Sequence, residues 1–227
     1  MVLTRSANEV AEYFEAELVP DEPAFGPRFN VAPSQSILAV RQEVGQPRRL
    51  GSLHWGLIPF WVKDRSEFSL MINARSETAA SKPSFRAALR KRRCLVPADG
   101  FYEWTRRAKG APAEGPFYFH GAEASLLAIA GLWESWVDRE SGEVVESCAL
   151  LTGAANALMS PIHHRMPILV ERQDWGDWLD GEQEDPALLE RMLEPAPEDR
   201  LQVFQVGRYV NQARNEGPEC LEPLSAV

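Results

Sequence analysis

The chain has 227 residues, 44% of them apolar and 25% charged, which is the balance of an ordinary soluble globular protein long enough to bury a core. No apolar run approaches the roughly 20 residues that span a bilayer, residues 6–18 are too acidic for a signal peptide, and three cysteines make no disulfide framework, so a reducing cytoplasm is the expected location. The net charge of -9 speaks against a nucleic-acid partner until its layout is read: residues 62–109 carry twelve basic against five acidic side chains, residues 171–200 three against eleven, and local potential is what steers a polyanion.

Along the chain, Ser6 and Glu9 have the spacing of a capping box. Val10, Phe14 and Leu18 recur at helical spacing, which predicts an amphipathic helix over 7–18. A Pro- and Gly-containing loop runs from Pro20 to Pro33. Residues 37–41 and 49–55 read as strands around a turn near Gly45. Pro83 suits the first position of a short helix that turns Phe85 and Leu89 inward, with Arg86, Arg90, Lys91, Arg92 and Arg93 as either its solvated side or a basic patch. The apolar runs 94–96 and 101–104 flank Asp99-Gly100, a hairpin signal. Further strands fit 117–120, 126–132, 148–152, 166–170 and 201–206, and helices fit 173–179 and 186–193. Many short strands with few helices predict a single α+β domain, residues 1–227, around a curved, barrel-like antiparallel sheet with peripheral helices. The patterns do not decide whether that sheet closes.

Four clusters interrupt apolar stretches with polar chemistry. Trp55 to Trp61 packs three aromatics and a proline into seven residues. Asn73, Arg75 and Glu77 break an apolar segment. Glu103 sits between Tyr102 and Trp104, and His163-His164-Arg165 precedes Met166-Pro167. Buried polar groups need partners, so Asn73, Glu103 and His163 are candidates to meet one another. Each has a plainer reading: Glu103 as a strand carboxylate paired with Arg106 or Arg107, Asn73 as a turn residue, His163 and His164 as loop residues. No HExxH or CxxC spacing supports a metal, no Gly-rich phosphate loop a nucleotide cofactor, and no GxSxG elbow a serine hydrolase. Neither cofactor nor metal is expected.

The strings FNVAPSQ, HWGLIPFW, INARSETA, RRCLVPADGFYEW, IHHRMP and VNQARNEGPE, in that order over about residues 29–220, closely resemble the signature blocks of the SOS response-associated peptidase (SRAP) family. That resemblance implies a partner, single-stranded DNA carrying an abasic site. It also implies a chemistry, covalent capture of the ring-opened sugar by an N-terminal Cys exposed when the initiator Met is self-removed. Carried over by motif, Glu103 would be the general acid/base, Asn73 would orient the sugar or the N-terminal residue, and His163 would protonate or stabilise the sugar oxygen and help reverse the adduct. Arg75 and Arg165 would hold phosphates, Trp61 and Trp104 would stack or wedge beside the missing base, and Asn30 and Pro33 would shape the pocket. His164 stands where the family usually has Asp. The family begins Met-Cys-Gly-Arg, whereas this chain begins Met1-Val2-Leu3-Thr4, a start about four residues short of the motif. Without that Cys the expectation is no thiazolidine, because Cys94 and Cys148 read as core thiols and Cys220 has no adjacent amine. Two other readings stay open: a non-covalent reader of single strands or junctions, and a protease acting on other proteins, for which no nucleophile constellation is visible.

Overall fold

The computed structural model describes residues 1–20, 25–105 and 115–224. Its first helix, α1 (Ala7–Phe14), has the capping box anticipated, with Ser6 and Glu9 satisfying each other's backbone amides. It ends four residues sooner than the 3.6-residue pattern allows, because Glu15 turns into the left-handed region (φ 53°). Ala16–Leu18 (β1) then leaves the helix and joins a sheet.

Ten strands follow: β2 (Ser36–Arg41), β3 (Arg48–Trp55), β4 (Asn73–Arg75), β5 (Arg93–Ala98), β6 (Gly100–Trp104), β7 (Pro116–Gly121), β8 (Leu127–Val137), β9 (Val144–Ala154), β10 (Arg165–Pro167) and β11 (Leu201–Gln205). Helices α2 (Ser76–Ala79), α3 (Arg86–Lys91), α4 (Trp175–Leu179) and α5 (Pro186–Met192) lie between them. The fold is α+β, with an eight-stranded sheet and a second sheet of three strands ordered β11-β7-β6.

The large sheet closes on itself. Strands β3-β2-β5-β8-β9 pair in sequence, and β9 returns to β3 through the parallel register His54↔Ser147 and Trp55↔Cys148. The curvature anticipated is thus carried to a ring of five strands. The main ladders are antiparallel, while three joins, β1 to β3, β3 to β9 and β4 to β9, are parallel.

Alternation along the strands sends side chains to two buried clusters. Ile37, Ala39, Leu53, Trp55, Cys94, Val96, Ile129, Cys148 and Leu150 form one. Leu38, Val40, Leu50, Leu95, Ala130, Leu132, Ala149 and Leu151 form the other, together with Val10 and Phe14 of α1, Leu89 of α3 and Trp175 and Trp178 of α4. Because the helices cover the second set, the first fills the inside of the ring. Burial on both faces explains why these strands read as near-continuous apolar runs. The lumen is narrow: a Cβ on Gly131 would come within 2.7 Å of Cys94 Sγ.

Asp99-Gly100 makes no hairpin. β5 pairs with β8 and β2 in the ring, and β6 leaves for the small sheet to pair with β7. Tertiary partners claim the would-be turn: Asp99 accepts from the Thr4 amide (2.6 Å) and hydroxyl (2.7 Å), and Val2 bridges Gly100. A side chain at Gly100 would collide with the backbone of Phe119. Pro83 lies in a turn ahead of α3, which starts at Arg86, although Phe85 and Leu89 are buried as the spacing requires.

Candidate functional site

A cavity of about 540 Å³ opens where the ring meets the small sheet. Its floor is apolar, made by Trp55, Ile129 and Leu150 from the inside of the ring with Phe101 of β6 and Met166 of β10. Of the residues singled out by sequence, Asn30, Pro33, Asn73, Arg75, Glu103, Trp104, His163 and Arg165 line it, as does His164. Trp61 does not. It is 45% exposed and packs edge-on against Phe68, ring centroids 6.0 Å apart, on the 57–71 loop outside the cavity.

The polar residues arrive from both walls. Asn73 opens β4, whose parallel pairing with β9 sets Asn73 opposite Leu150, and it makes no side-chain hydrogen bond among the described residues. Glu103 comes from β6 and His163 from the segment before β10. The Glu103 carboxylate Oε2 lies 3.9 Å from His163 Nδ1. The same Nδ1 is 3.0 Å from the Arg165 carbonyl. The Arg165 backbone amide also donates to this nitrogen at 3.3 Å, so Nδ1 has both an acceptor and a donor beside it and either neutral tautomer finds a partner. The alternative partners of Glu103, Arg106 and Arg107, lie outside the described residues. His164 sits against His163 with ring centroids 4.6 Å apart.

The two arginines differ in state. Arg75 is exposed; its side chain makes no hydrogen bond and no ion pair within 4 Å among the described residues, although its charge acts on nearby Glu77. Arg165 is held: Nη1 and Nη2 donate to the two carboxylate oxygens of Glu77 at 2.9 and 3.0 Å, and Nε and Nη2 donate to the hydroxyl and carbonyl of Thr152.

Asn30 is a clamp. It is 6% exposed, and its amide donates to the carbonyls of Val210, Gln212 and Asn215. Glu216 returns the grip by accepting from the Phe29 and Asn30 amides and from Arg28. This latch carries Asn211 to the cavity, where its side-chain oxygen accepts from Trp104 Nε1 at 2.9 Å and fixes the indole. The Tyr102 hydroxyl donates to the Phe29 carbonyl beneath it. Asn211, Thr152 and the roles of Glu77 and Glu216 escape a sequence reading. The string VNQARNEGPE contains Asn211 and Glu216, but nothing in it says which residues they hold.

Met1 also lines the cavity. Its amine donates to the Val31 carbonyl at 2.9 Å, and burial pushes it down from 8.0 to about 5 against the pull of Glu216. Cys94, Cys148 and Cys220 are buried. Burial lifts the Cys94 thiol to about 12 and Cys148 well above its ordinary value. Among the described residues no three His, Cys, Asp or Glu side chains are grouped to hold a metal, and no helix is long and apolar enough to cross a membrane.

Comparison with known proteins gives one consistent picture. The family model described as SOS response associated peptidase (SRAP) matches residues 1–213. The chain is 39% identical over 215 residues to abasic site processing protein YoqW of Bacillus subtilis, covering 95% of this chain and 94% of that one. It is 31% identical to abasic site processing protein HMCES of Gallus gallus, over 89% of this chain and 68% of that one. Among solved structures, a Bacteroides thetaiotaomicron protein at 24% identity shares the fold with a TM-score of 0.82 over 98% of both chains. A Bordetella bronchiseptica protein at 29% identity gives 0.71 over 88% of this chain and 95% of that one.

Proposed function

This chain belongs to the SOS response associated peptidase family, and on that premise we propose that residues 1–227 act as one unit that binds abasic sites in single-stranded DNA. The observation that carries the reading is the convergence of Asn73, Glu103, His163 and the exposed Arg75 on one cavity with an apolar floor. An apolar floor accepts the space left by a missing base, and polar groups at the rim address the sugar and phosphate.

The proposed chemistry starts with the open-chain sugar, an aldehyde. A neutral terminal amine adds to its carbon, Glu103 delivers a proton to the resulting hydroxyl, and water leaves to give an imine. If the same residue carries a thiol, sulfur adds to the imine carbon, the thiol proton is released toward Glu103, and a five-membered thiazolidine closes. Amine and thiol on one residue make that step intramolecular, with a large effective concentration. His163 stabilises the sugar oxygen and assists reversal, its imidazole taking up a proton and returning it. Asn73 orients the sugar. Arg75 takes a flanking phosphate and Trp104 stacks on a neighbouring base, a contact worth about 1–3 kcal/mol. Trp61, on a loop away from the cavity, reaches DNA only where the strand runs past the mouth.

Burial already favours a neutral amine at Met1, the form that adds to an aldehyde to give a reversible imine, whereas the thiazolidine requires a Cys at that place. The experiment is a denaturing-gel assay with single-stranded DNA containing one abasic site. It compares this chain with a version carrying Met-Cys-Gly-Arg ahead of Val2. The extended protein is expected to give a heat-stable adduct, and this chain an adduct only after borohydride reduction of the imine. Lesion binding by both without any adduct would favour a non-covalent reader, and absence of binding by either refutes the proposal.

A further inference from the structure

Asp99-Gly100, which has turn chemistry and makes no hairpin, grips the first residues of the chain instead. Every backbone amide and carbonyl from Met1 to Leu3 is hydrogen-bonded, on alternating sides as in a strand. Met1 exchanges bonds with Val31 at 2.9 and 2.8 Å, and Leu3 with Arg28 at 2.8 Å in both directions. Val2 turns the other way, donating to the Gly100 carbonyl and accepting from the Asp99 amide, both at 2.9 Å. Thr4 continues the alternation, but the partner it meets is a side chain. The Asp99 carboxylate takes the Thr4 amide at 2.6 Å and the Thr4 hydroxyl at 2.7 Å. Asp99 therefore holds residues 2 and 4 at once, one by its own amide and the other by its carboxylate. Arg5 Nε backs that carboxylate at 3.4 Å while Nη2 donates to the Ala124 carbonyl.

We propose that Asp99 is a positioning residue for the terminal amine: by bridging Val2 and Thr4 it fixes the strand that presents Met1 to the cavity. This rests on the imine chemistry proposed above. Asp99 is not among the residues that line the cavity, whereas Met1 is, so its action is through the strand. Chain ends fray unless tied down, and an amine attacks a carbonyl only when held close to it and in line. A carboxylate accepting from an amide and a hydroxyl makes a stronger tie than a neutral acceptor would. The tie also keeps the amine buried. Burial brings it from 8.0 to about 5, outweighing the opposing pulls of Glu216 and the Cys220 thiol and adding to the push of Arg28. Glu103 and His163 face the same cavity from its two walls. A loosened strand returns the amine to water, where it is protonated at neutral pH and cannot attack.

Asp99 could instead be a structural tie between the N-terminal strand and the small sheet, with no bearing on the amine. The two roles differ in their pH dependence. A structural loss lowers adduct formation equally at every pH and lowers lesion binding with it. A freed amine loses more as the pH falls, because less of it is neutral.

The test measures the initial rate of adduct formation with saturating single-stranded DNA carrying one abasic site, from pH 6.5 to pH 8, with excess cyanoborohydride. The amine nitrogen bonds to the aldehyde carbon, the carbonyl oxygen leaves as water, and the reductant's hydride converts the imine to a stable secondary amine. Affinity for a strand with a non-reactive abasic analogue is read in parallel by fluorescence anisotropy. Asp99→Ala is expected to slow the adduct while leaving that affinity near normal. The slowing should grow by up to about fifteenfold between pH 8 and pH 6.5, the change in neutral fraction as the amine moves from about 5 toward 8.0. Asp99→Asn, which keeps an oxygen for the Thr4 amide without the charge, should fall between the two proteins. Thr4→Val removes the hydroxyl bond alone; it should show the same trend more weakly, and it carries the test if Asp99→Ala folds poorly. Rates and pH profiles unchanged in the Asp99 and Thr4 variants overturn the proposal, as does a slowing that is equal at every pH or matched by lost affinity. If the unaltered chain gives no reduced adduct, the imine reading falls and this inference with it. An adduct that forms but ignores Asp99 and Thr4 removes only the latter.

Discussion

The cavity has one wall on the closed ring and one on the three-stranded sheet, and the two walls are held by different means. On the ring side, Asn73 and Arg165 ride on short strands that flank β9, whose Ala149 and Leu151 are fully buried. On the other side, Glu103 and Trp104 end β6, an edge strand of the small sheet. What steadies them is a set of side-chain bonds from distant parts of the chain: Asn30 and Glu216 in the latch, Asn211 on the indole, Tyr102 on the Phe29 carbonyl. The ring wall rests mainly on apolar packing, and the sheet wall adds these polar contacts to a smaller apolar cluster around Val2, Tyr102, Tyr118 and Val206. Stability within one structure is uneven for such reasons, and binding elements are drawn from the weaker side.

The largest effect expected is on the ring. Leu151→Ala should cost about 2–5 kcal/mol of stability, read from chemical denaturation, while lesion binding per folded molecule stays near normal. Asn30→Ala should cost less, about 1–3 kcal/mol for the carbonyls left unsatisfied, yet impair binding more. In that variant, hydrogen exchange should accelerate at residues 210–216 before it changes in β8 or β9; equal acceleration in both would erase the distinction between the walls. Asn211→Leu should be milder still for stability, at about 1 kcal/mol, with a several-fold loss of affinity for the abasic strand and a shift in tryptophan emission as Trp104 is released. Smallest of all is an expected absence of change: at pH 8 a thiol alkylating reagent should leave Cys94 and Cys148 unmodified in the native protein, as mass spectrometry would show. Burial has lifted the Cys94 thiol to about 12, and the nucleophile in alkylation is the thiolate. Rapid labelling of either would mean that the ring opens far more readily than its packing implies.

Periodicity revealed the ring strands well. Ile37 to Arg41, Arg49 to Trp55 and the long apolar runs of β8 and β9 declare themselves because both faces are buried. The short elements were not legible. β4 is three residues long and exists by pairing with β9, which no local pattern encodes. Asp99-Gly100 has turn chemistry, yet Thr4 and Val2 compete for it from the other end of the sequence and win. The end of α1 depends on the backbone of one residue, Glu15, which no side-chain pattern announces. The cavity itself was more legible than the fold, since Asn73, Glu103 and His163 stand out as polar residues in apolar company. What stayed hidden is the second layer. Trp61 looks like a binding aromatic from its neighbours and faces elsewhere, whereas Asn211 looks like a loop amide and orients the tryptophan at the rim.

Ring closure has a consequence for how the protein is made. His54 and Ser147 must meet before the cavity has a floor, and the latch that steadies its other wall comes from residues 210–216. Contacts so distant in sequence form late and slowly, since the intervening chain must be collected first. A growing polypeptide therefore emerges with the groups of its cavity scattered, and Glu103 and His163 come within reach of each other only late in synthesis. Synthesis time therefore delays the cavity: no half-built chain brings its apolar floor and polar rim together.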